Sequence, residues 1–228
     1  MTRIVVLGTG TEIGKTHASI AIAATLADMR IAIAALKPIE SGVPIDTTSA
    51  STDAASLAAV SSYPISPQPY AFPDPVSPHL AARRAGVVID FDRITSWVDS
   101  HHAQVVLVET AGAMLSPIDR GRTNMDLARA LRPDLLLLVA PDRLGVLHDV
   151  TAALHALRTL APELPQPTLL LQPPAVPDTS TGTNADEIAW LGIAAKPHVL
   201  PRAKPTDRIT RDAVLSILEE WRLAKTQL

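Results

Sequence analysis

The chain has 228 residues, 47% of them hydrophobic, and a formal net charge of −3. This length and apolar content suffice for a full core, and we expect a single domain over residues 1–228. The weak negative charge argues against nucleic-acid binding, the lack of cysteine excludes disulfides and thiolate chemistry, and no apolar run approaches the roughly 18 residues that cross a membrane. The composition therefore favours a small-molecule partner, no membrane partner and a cytoplasmic location.

Apolar strand-like runs alternate along the chain with segments of helical periodicity. The strand-like runs are 3–7, 31–36, 105–109, 135–140, 167–172 and 193–200, and the helical segments are 15–28, 53–61, 91–101, 124–131, 145–160 and 208–223. Strands that are apolar throughout are typical of a parallel sheet that is covered on both faces. The pattern predicts an α/β fold of three layers with a mainly parallel central sheet, whose ligands bind at the carboxyl ends of the strands.

A glycine-rich loop joins the first strand to the first helix. It reads Gly8-Thr9-Gly10-Thr11-Glu12-Ile13-Gly14-Lys15-Thr16. Glycines let backbone N–H groups turn towards a phosphate, the helix N-terminus adds partial positive charge, and Lys15 can reach the β- and γ-phosphates. The Thr16 hydroxyl can then bind Mg²⁺. The loop predicts a P-loop NTPase-like fold that binds Mg-ATP, although its first glycine stands one position earlier than in the common pattern.

The second strand-like run is followed by Lys37-Pro38-Ile39-Glu40-Ser41-Gly42. The proline fixes Lys37 at the strand end, and the hydroxyl of Ser41 comes four residues later, which suits an anionic substrate. A solvated strand end explains Lys37 equally well.

Two carboxylates are candidate Mg²⁺ ligands. Glu109 ends the run 105–109 beside the predicted phosphate loop, where a nucleoside triphosphatase places an acidic metal ligand. An acid that caps the next turn is the alternative for Glu109. Asp53 opens the segment 53–61, where an acid is by itself more often a helix cap than a metal ligand.

Six prolines between Tyr63 and Pro78 are too many for a helix or a central strand. Composition alone leaves a surface linker as one interpretation of this segment. A second proline-rich piece at 173–177 follows Gln172 and predicts a loop.

Four strings taken together resemble the dethiobiotin synthetase family. They are Gly8-Thr9-x-Thr11-Glu12-x-Gly14-Lys15-Thr16, Lys37-Pro38-x-x-Ser41-Gly42, Tyr70-x-Phe72-x-x-Pro75-x-Ser77-Pro78-His79 and Val108-Glu109-x-Ala111-Gly112. Their order and separations match that family over most of the chain, and the early glycine of the phosphate loop belongs to its pattern.

The resemblance implies a homodimer that uses Mg-ATP to convert 7,8-diaminononanoate and CO₂, or bicarbonate in solution, into dethiobiotin. The implied intermediates are a carbamate and a carbamic-phosphoric anhydride. The implied catalytic residues are Thr11, Lys15 and Lys37, and the implied Mg²⁺ ligands are Thr16, Asp53 and Glu109. The implied substrate residues are Lys37, Ser41, Pro75, Ser77, Pro78 and, near the dimer interface, Gly145 and His148. Gln172 is the implied contact of the nucleotide base.

Some positions depart from that family's pattern. Gly10 and Thr110 stand where it usually has Asp and Gly, and Gln172 and His148 stand where it has Asn. We expect Gly10 to remove a contact to a substrate amine and Thr110 to add bulk beside the metal site, while a core or turn role stays open for Gln172.

Two alternative functions remain. One is a nucleotide-switch ATPase of the ParA or MinD type, which carries a lysine at the position of Gly10. The other is a binding-only homologue that has lost turnover.

Overall fold

The structure, a computed structural model, describes residues 1–44 and 52–224. Its strands are β1 (Thr2–Gly8), β2 (Ile33–Leu36), β3 (Ile39–Ser41), β4 (Tyr70–Phe72), β5 (Val105–Glu109), β6 (Leu135–Pro141), β7 (Thr168–Gln172) and β8 (His198–Val199). Its helices are α1 (Lys15–Asp28), α2 (Asp53–Val60), α3 (Pro78–Arg84), α4 (Phe91–Asp99), α5 (Asn124–Leu131), α6 (Val146–Leu160), α7 (Asn184–Trp190) and α8 (Arg208–Glu220).

The main sheet has the strand order β2-β5-β1-β6-β7-β8, and its neighbouring strands pair in parallel. Alternate side chains of β1 pack on opposite faces, because successive residues of a strand point to opposite sides. Val5 and Leu7 join a buried cluster with α4, α5, α6 and α7, whereas Ile4 and Val6 join a second cluster with α1, α2 and α8. The predicted three-layer α/β fold is confirmed.

A second, two-stranded parallel sheet pairs β3 with β4. The strand β4 lies between Pro69 and Pro73, so the proline-rich segment contributes only this short strand and not a central one. The helix α3 then begins at Pro78, where the missing proline N–H costs no helical hydrogen bond. This small sheet carries the proline-rich segment alongside the residues that follow β2.

Several element bounds differ from those expected. The run 193–200 forms a strand only at His198–Val199, because the turn after α7 occupies its first residues and Pro197 lacks an N–H. The run 31–36 is a strand only from Ile33, and the helices end at Val60, Asp99 and Glu220, earlier than expected. The short elements β3, β4, α3 and α7 were not predicted.

Among the helices of the described ranges, 1–44 and 52–224, none combines the length and apolar character needed to cross a membrane.

Candidate active site

The register of the main sheet places Lys37 beside Glu109. Leu36 of β2 lies opposite Val108 of β5, so Lys37, which follows β2, comes level with Glu109, the last residue of β5. There the Lys37 ammonium donates a hydrogen bond of 2.8 Å to Glu109 Oε1, and both side chains are buried. Lys37 is therefore part of a buried ion pair, and the solvated strand end is excluded.

The phosphate loop follows β1, which lies next to β5 in the sheet. Gly14 adopts a left-handed backbone with φ of +91° immediately before α1 begins at Lys15. The Lys15 ammonium donates to the Gly10 carbonyl at 2.9 Å, and the Thr16 hydroxyl donates to Glu109 Oε1 at 2.8 Å. The loop and the end of β5 thus form one polar cluster.

Asp53 is the first residue of α2, and its carboxylate forms an ion pair with Lys37. The helix cap is Thr52, whose hydroxyl accepts a hydrogen bond of 3.1 Å from the N–H of Ala55. Since Thr52 fills the capping position, the carboxylate of Asp53 is available to the polar cluster.

Burial and neighbouring charges displace the pKa values of the two lysines in opposite directions. For Lys37, burial by itself lowers the pKa, but the carboxylates of Glu109 and Asp53 outweigh it and hold the pKa above its ordinary value. For Lys15, burial is the largest effect and lowers the pKa from 10.5 to about 8. Lys15 is thus a buried cation whose partner is a neutral carbonyl, which makes it ready to receive an anion.

The described residues offer a donor set that suits Mg²⁺. Magnesium in nucleotide sites is held by one or two carboxylates together with phosphate oxygens and water. Within the part of the chain that the structure covers, Glu109 Oε2 is buried without a hydrogen-bond partner, beside the Thr16 hydroxyl that bonds the other oxygen. Together with Asp53, these oxygens match the ligand types that the ion prefers.

A cavity of about 480 Å³ unites most of the predicted site residues. This volume lies in the usual range for small-molecule sites. The predicted residues that line it are Thr11, Glu12, Ile13, Gly14, Lys15, Thr16, Lys37, Ser41, Asp53, Pro75, Ser77, Pro78 and Glu109. The proline-rich segment therefore forms a wall of this cavity and is not a linker.

Four predicted site residues lie outside the cavity lining. Gly10 contributes its carbonyl to Lys15, and Gln172 packs on the phosphate loop, where a Cβ added to Gly14 would lie 2.3 Å from Gln172 Cγ. Gly145 and His148 lie at the start of α6 and are exposed. None of these four is placed against a base or a substrate by this single chain, so their roles stay predictions.

Thr110 does not crowd the cavity as expected. Its hydroxyl donates a hydrogen bond of 2.9 Å to the carbonyl of Val6 and is buried between β5 and β1. The expectation of added bulk at the metal site is wrong, because this hydrogen bond directs the side chain towards β1.

Five further residues line the cavity without having been predicted as site residues, namely Glu40, Val76, Ala111, Gly112 and Ser116. Glu40 and Val76 lie inside the strings quoted above, at positions whose residue type carries no signal. Ser116 Oγ accepts a hydrogen bond of 2.9 Å from the N–H of Ala113, which orders the turn after β5.

A family model described as an AAA domain matches residues 2–165. The ATP-dependent dethiobiotin synthetase BioD of Methylobacterium nodulans is 32% identical over 202 residues, which cover 83% of this chain and 88% of that protein. The enzyme of the same name from Frankia casuarinae is 34% identical and covers 88% of this chain and 84% of its own length. The chain belongs to the dethiobiotin synthetase family. A third dethiobiotin synthetase, from a Caulobacter species, is 37% identical over 69% of this chain and 71% of its own length.

Solved structures outside the dethiobiotin synthetases share the fold of this chain. The MinC:MinD cell division complex of Aquifex aeolicus matches with a TM-score of 0.59 at 14% identity and covers 100% of this chain and 98% of its own. A ParA family ATPase from Chlorobium tepidum matches with a TM-score of 0.52 at 15% identity and covers 98% of both chains. At such low identity these matches describe the fold alone.

Proposed function

We propose that the protein is an ATP-dependent dethiobiotin synthetase that carboxylates 7,8-diaminononanoate and closes the ureido ring. The observation that carries the proposal is one cavity in which the phosphate loop, Lys37 and the proline-rich wall meet. The phosphate loop suits the triphosphate, and the remaining volume borders on hydroxyl and apolar groups that suit an aliphatic diamine. The sequence relationship supports the same reaction.

Lys15 and Lys37 stabilise negative charge during phosphoryl transfer. One substrate amine combines with CO₂ and loses a proton to give a carbamate, whose oxygen attacks the γ-phosphate of ATP and releases ADP. Lys15 stabilises the transferring phosphoryl group, and Lys37 offsets negative charge where carbamate and phosphate approach. The second amine then attacks the carbamoyl carbon and releases phosphate.

The hydroxyls of Thr11 and Ser41 orient the carbamate. Both residues line the cavity, and Ser41 Oγ is buried without a hydrogen-bond partner among the described residues. A buried hydroxyl of this kind is costly unless a ligand satisfies it. Pro75, Ser77 and Pro78 enclose the aliphatic part of the diamine. Gln172, at the end of β7 and packed against the phosphate loop, contacts the base.

Mg²⁺ would be held by Thr16, Asp53 and Glu109, where it would neutralise charge on the β- and γ-phosphates. The remaining catalysis is positioning and electrostatic stabilisation by side chains already in place, without a protein nucleophile.

We also propose that the enzyme is a homodimer. Gly145 and His148 would contact the substrate carboxylate of the neighbouring copy from the start of α6, where both are exposed.

Phosphate release tests the proposed reaction. With Mg-ATP and bicarbonate, adding the diamine is expected to raise phosphate release well above the diamine-free rate and to yield dethiobiotin. Lys37→Gln is expected to lower the diamine-dependent rate on the order of 10²–10³-fold, as loss of a charge-stabilising group does. The matched control is Lys196→Gln, because Lys196 is exposed and lies outside the cavity.

Release that the diamine does not change would refute the proposal. Hydrolysis that depends instead on a protein or lipid surface would indicate a nucleotide switch. Tight nucleotide binding without any turnover would indicate a binding-only homologue.

A further inference from the structure

Glu40 joins the start of α2 to the segment that carries Lys37. It lies in β3 and is buried, with 7% of its surface exposed. Glu40 Oε1 accepts a hydrogen bond of 2.6 Å from the N–H of Asp53, and Oε2 accepts one of 3.1 Å from the N–H of Ala54. These N–H groups begin α2, where a helix provides no acceptor of its own and where negative charge is favoured.

The Asp53 side chain is 43% exposed, so packing alone does not fix its direction and its backbone has to be held by a residue such as Glu40. A partly exposed ion pair gains little by itself, since solvent screens it and ordering the side chains costs entropy. Glu40 fixes the backbone of Asp53, and Gln68 holds Glu40 Oε2 through a further hydrogen bond of 3.3 Å. The buried carboxylate thus restricts the directions that the Asp53 carboxylate can take.

We infer that Glu40 is a positioning residue that keeps Asp53 directed at Lys37 and at the Mg²⁺ position. The inference rests on the proposed role of Asp53 as a metal ligand. Groups that orient a metal ligand through hydrogen bonds typically contribute roughly 10–100-fold to metal affinity. Glu40 orients Asp53 through a hydrogen bond to its main-chain N–H and touches no reacting atom.

Two independent caps at the start of α2 allow this role to be separated from helix stability. Thr52 caps α2 locally through the N–H of Ala55, at 3.1 Å, whereas Glu40 reaches the N–H of Asp53 itself from another element. Thr52→Ala is therefore the matched control, because it weakens the same helix without removing the anchor of Asp53.

The test is the affinity of the full chain for ADP, measured by calorimetry with and without Mg²⁺. We expect Mg²⁺ to tighten ADP binding to the unmodified protein. Glu40→Gln places an amide donor against a backbone donor, and its Mg²⁺-dependent gain in ADP affinity should fall at least about tenfold while ADP affinity without Mg²⁺ stays the same. Glu40→Asp keeps the charge on a shorter side chain, so its Mg²⁺-dependent gain in ADP affinity should lie between those of the unmodified protein and Glu40→Gln. It replaces Glu40→Gln in the test if that variant does not fold.

Asp53→Asn separates the two proposals. It should abolish the Mg²⁺-dependent gain, and Thr52→Ala should leave that gain intact. If Asp53→Asn loses the gain and both Glu40 variants keep it, the inference about Glu40 is overturned. It is also overturned if Thr52→Ala loses as much as Glu40→Gln, or if Asp53→Asn keeps the whole gain. Since the titration needs no diamine, its result is independent of the phosphate-release assay.

Discussion

Two lysines in one cavity differ in the charge that surrounds them. Lys37 lies between two carboxylates that hold its pKa above the ordinary value, whereas burial brings the pKa of Lys15 down to about 8. Lys37 is therefore charged throughout the physiological range, and Lys15 changes its charge near the upper end of that range. The two lysines should contribute differently to the pH dependence of ligand binding.

Nucleotide binding above pH 8 should take up a proton at Lys15. Phosphate groups near the ammonium favour its charged form and raise its pKa in the complex above the value of about 8 in the free protein. Between those two pKa values the free protein lacks the proton that the complex holds, so ADP affinity should fall as the pH rises through this interval. Calorimetry at about pH 9 in two buffers of different ionisation enthalpy should give an uptake approaching about one proton per ADP.

Lys15→Arg is the control for this uptake, because an arginine stays charged over the whole pH range of the experiment. The variant should bind ADP without taking up a proton, whatever its affinity. Equal uptake by both proteins would assign the proton to another group, and no uptake by the unmodified protein would show that Lys15 is already charged when free.

At the scale of elements, the phosphate loop and the end of β7 form one packed unit. Gly14 has φ of +91°, which disfavours any side chain, and a Cβ at this position would lie 2.3 Å from Gln172 Cγ. Gly14→Ala should therefore weaken ADP binding at least about tenfold, which corresponds to about 1.4 kcal/mol. Calorimetric titration of ADP into the variant gives the change.

A double-mutant cycle separates the two causes of that loss. Adding Gln172→Ala to Gly14→Ala removes the steric conflict but leaves the backbone strain of a left-handed alanine, on the order of 1–2 kcal/mol. Gln172→Ala is also measured alone, because Gln172 is proposed to contact the base. The double variant should lose less ADP affinity than the two single losses added together, and strictly additive losses would mean that Gln172 does not press on the loop in the nucleotide-bound protein.

The large elements could be predicted from the sequence because each has a local pattern. Residues 4–7 of β1, 105–108 of β5 and 135–140 of β6 are continuous apolar runs, and the phosphate loop has its own glycine spacing. The strands β3 and β4 could not be found in this way, since three residues are too few to show a period. For β8 the sequence predicts too long a strand, because the apolar run 193–200 extends beyond the two residues, His198–Val199, that form the strand.

The site was predictable as far as single residues carry recognisable chemistry. Lys15, Lys37 and Glu109 are found from their motifs and meet in the structure. The role of Glu40 is different, because it depends on how the start of α2 packs against β3, thirteen residues earlier in the chain. Likewise, only the register of β5 on β1 reveals that the hydroxyl of Thr110 bonds to Val6.

At the scale of the whole molecule, the strand order decides which segments reach the site. The strands β2, β5 and β1 are neighbours in the main sheet although β5 follows β2 by many residues in the chain. This order brings the ends of all three strands to one edge, and the small sheet of β3 and β4 adds the proline-rich wall. The start of α6 follows β6, on the far side of β1, and lies outside the cavity.

An exposed leucine marks the surface on which we expect the second copy to bind. Leu144 directly precedes Gly145 and is 81% exposed. Full burial of a leucine is favourable by roughly 1.5–3 kcal/mol, whereas burial of an unpaired carboxylate is strongly unfavourable. Leu144→Glu should therefore shift the protein from dimer to monomer in light scattering coupled to size-exclusion chromatography, and should raise the KM for the diamine more than the KM for ATP.

Leu160→Glu is the matched control, because Leu160 ends the same helix α6 and is also exposed, at 54%. That variant should remain dimeric with an unchanged KM for the diamine. A monomeric unmodified protein, or a Leu144→Glu variant that stays dimeric, would rule out this surface, and a monomeric Leu160→Glu variant would place the interface at the opposite end of α6.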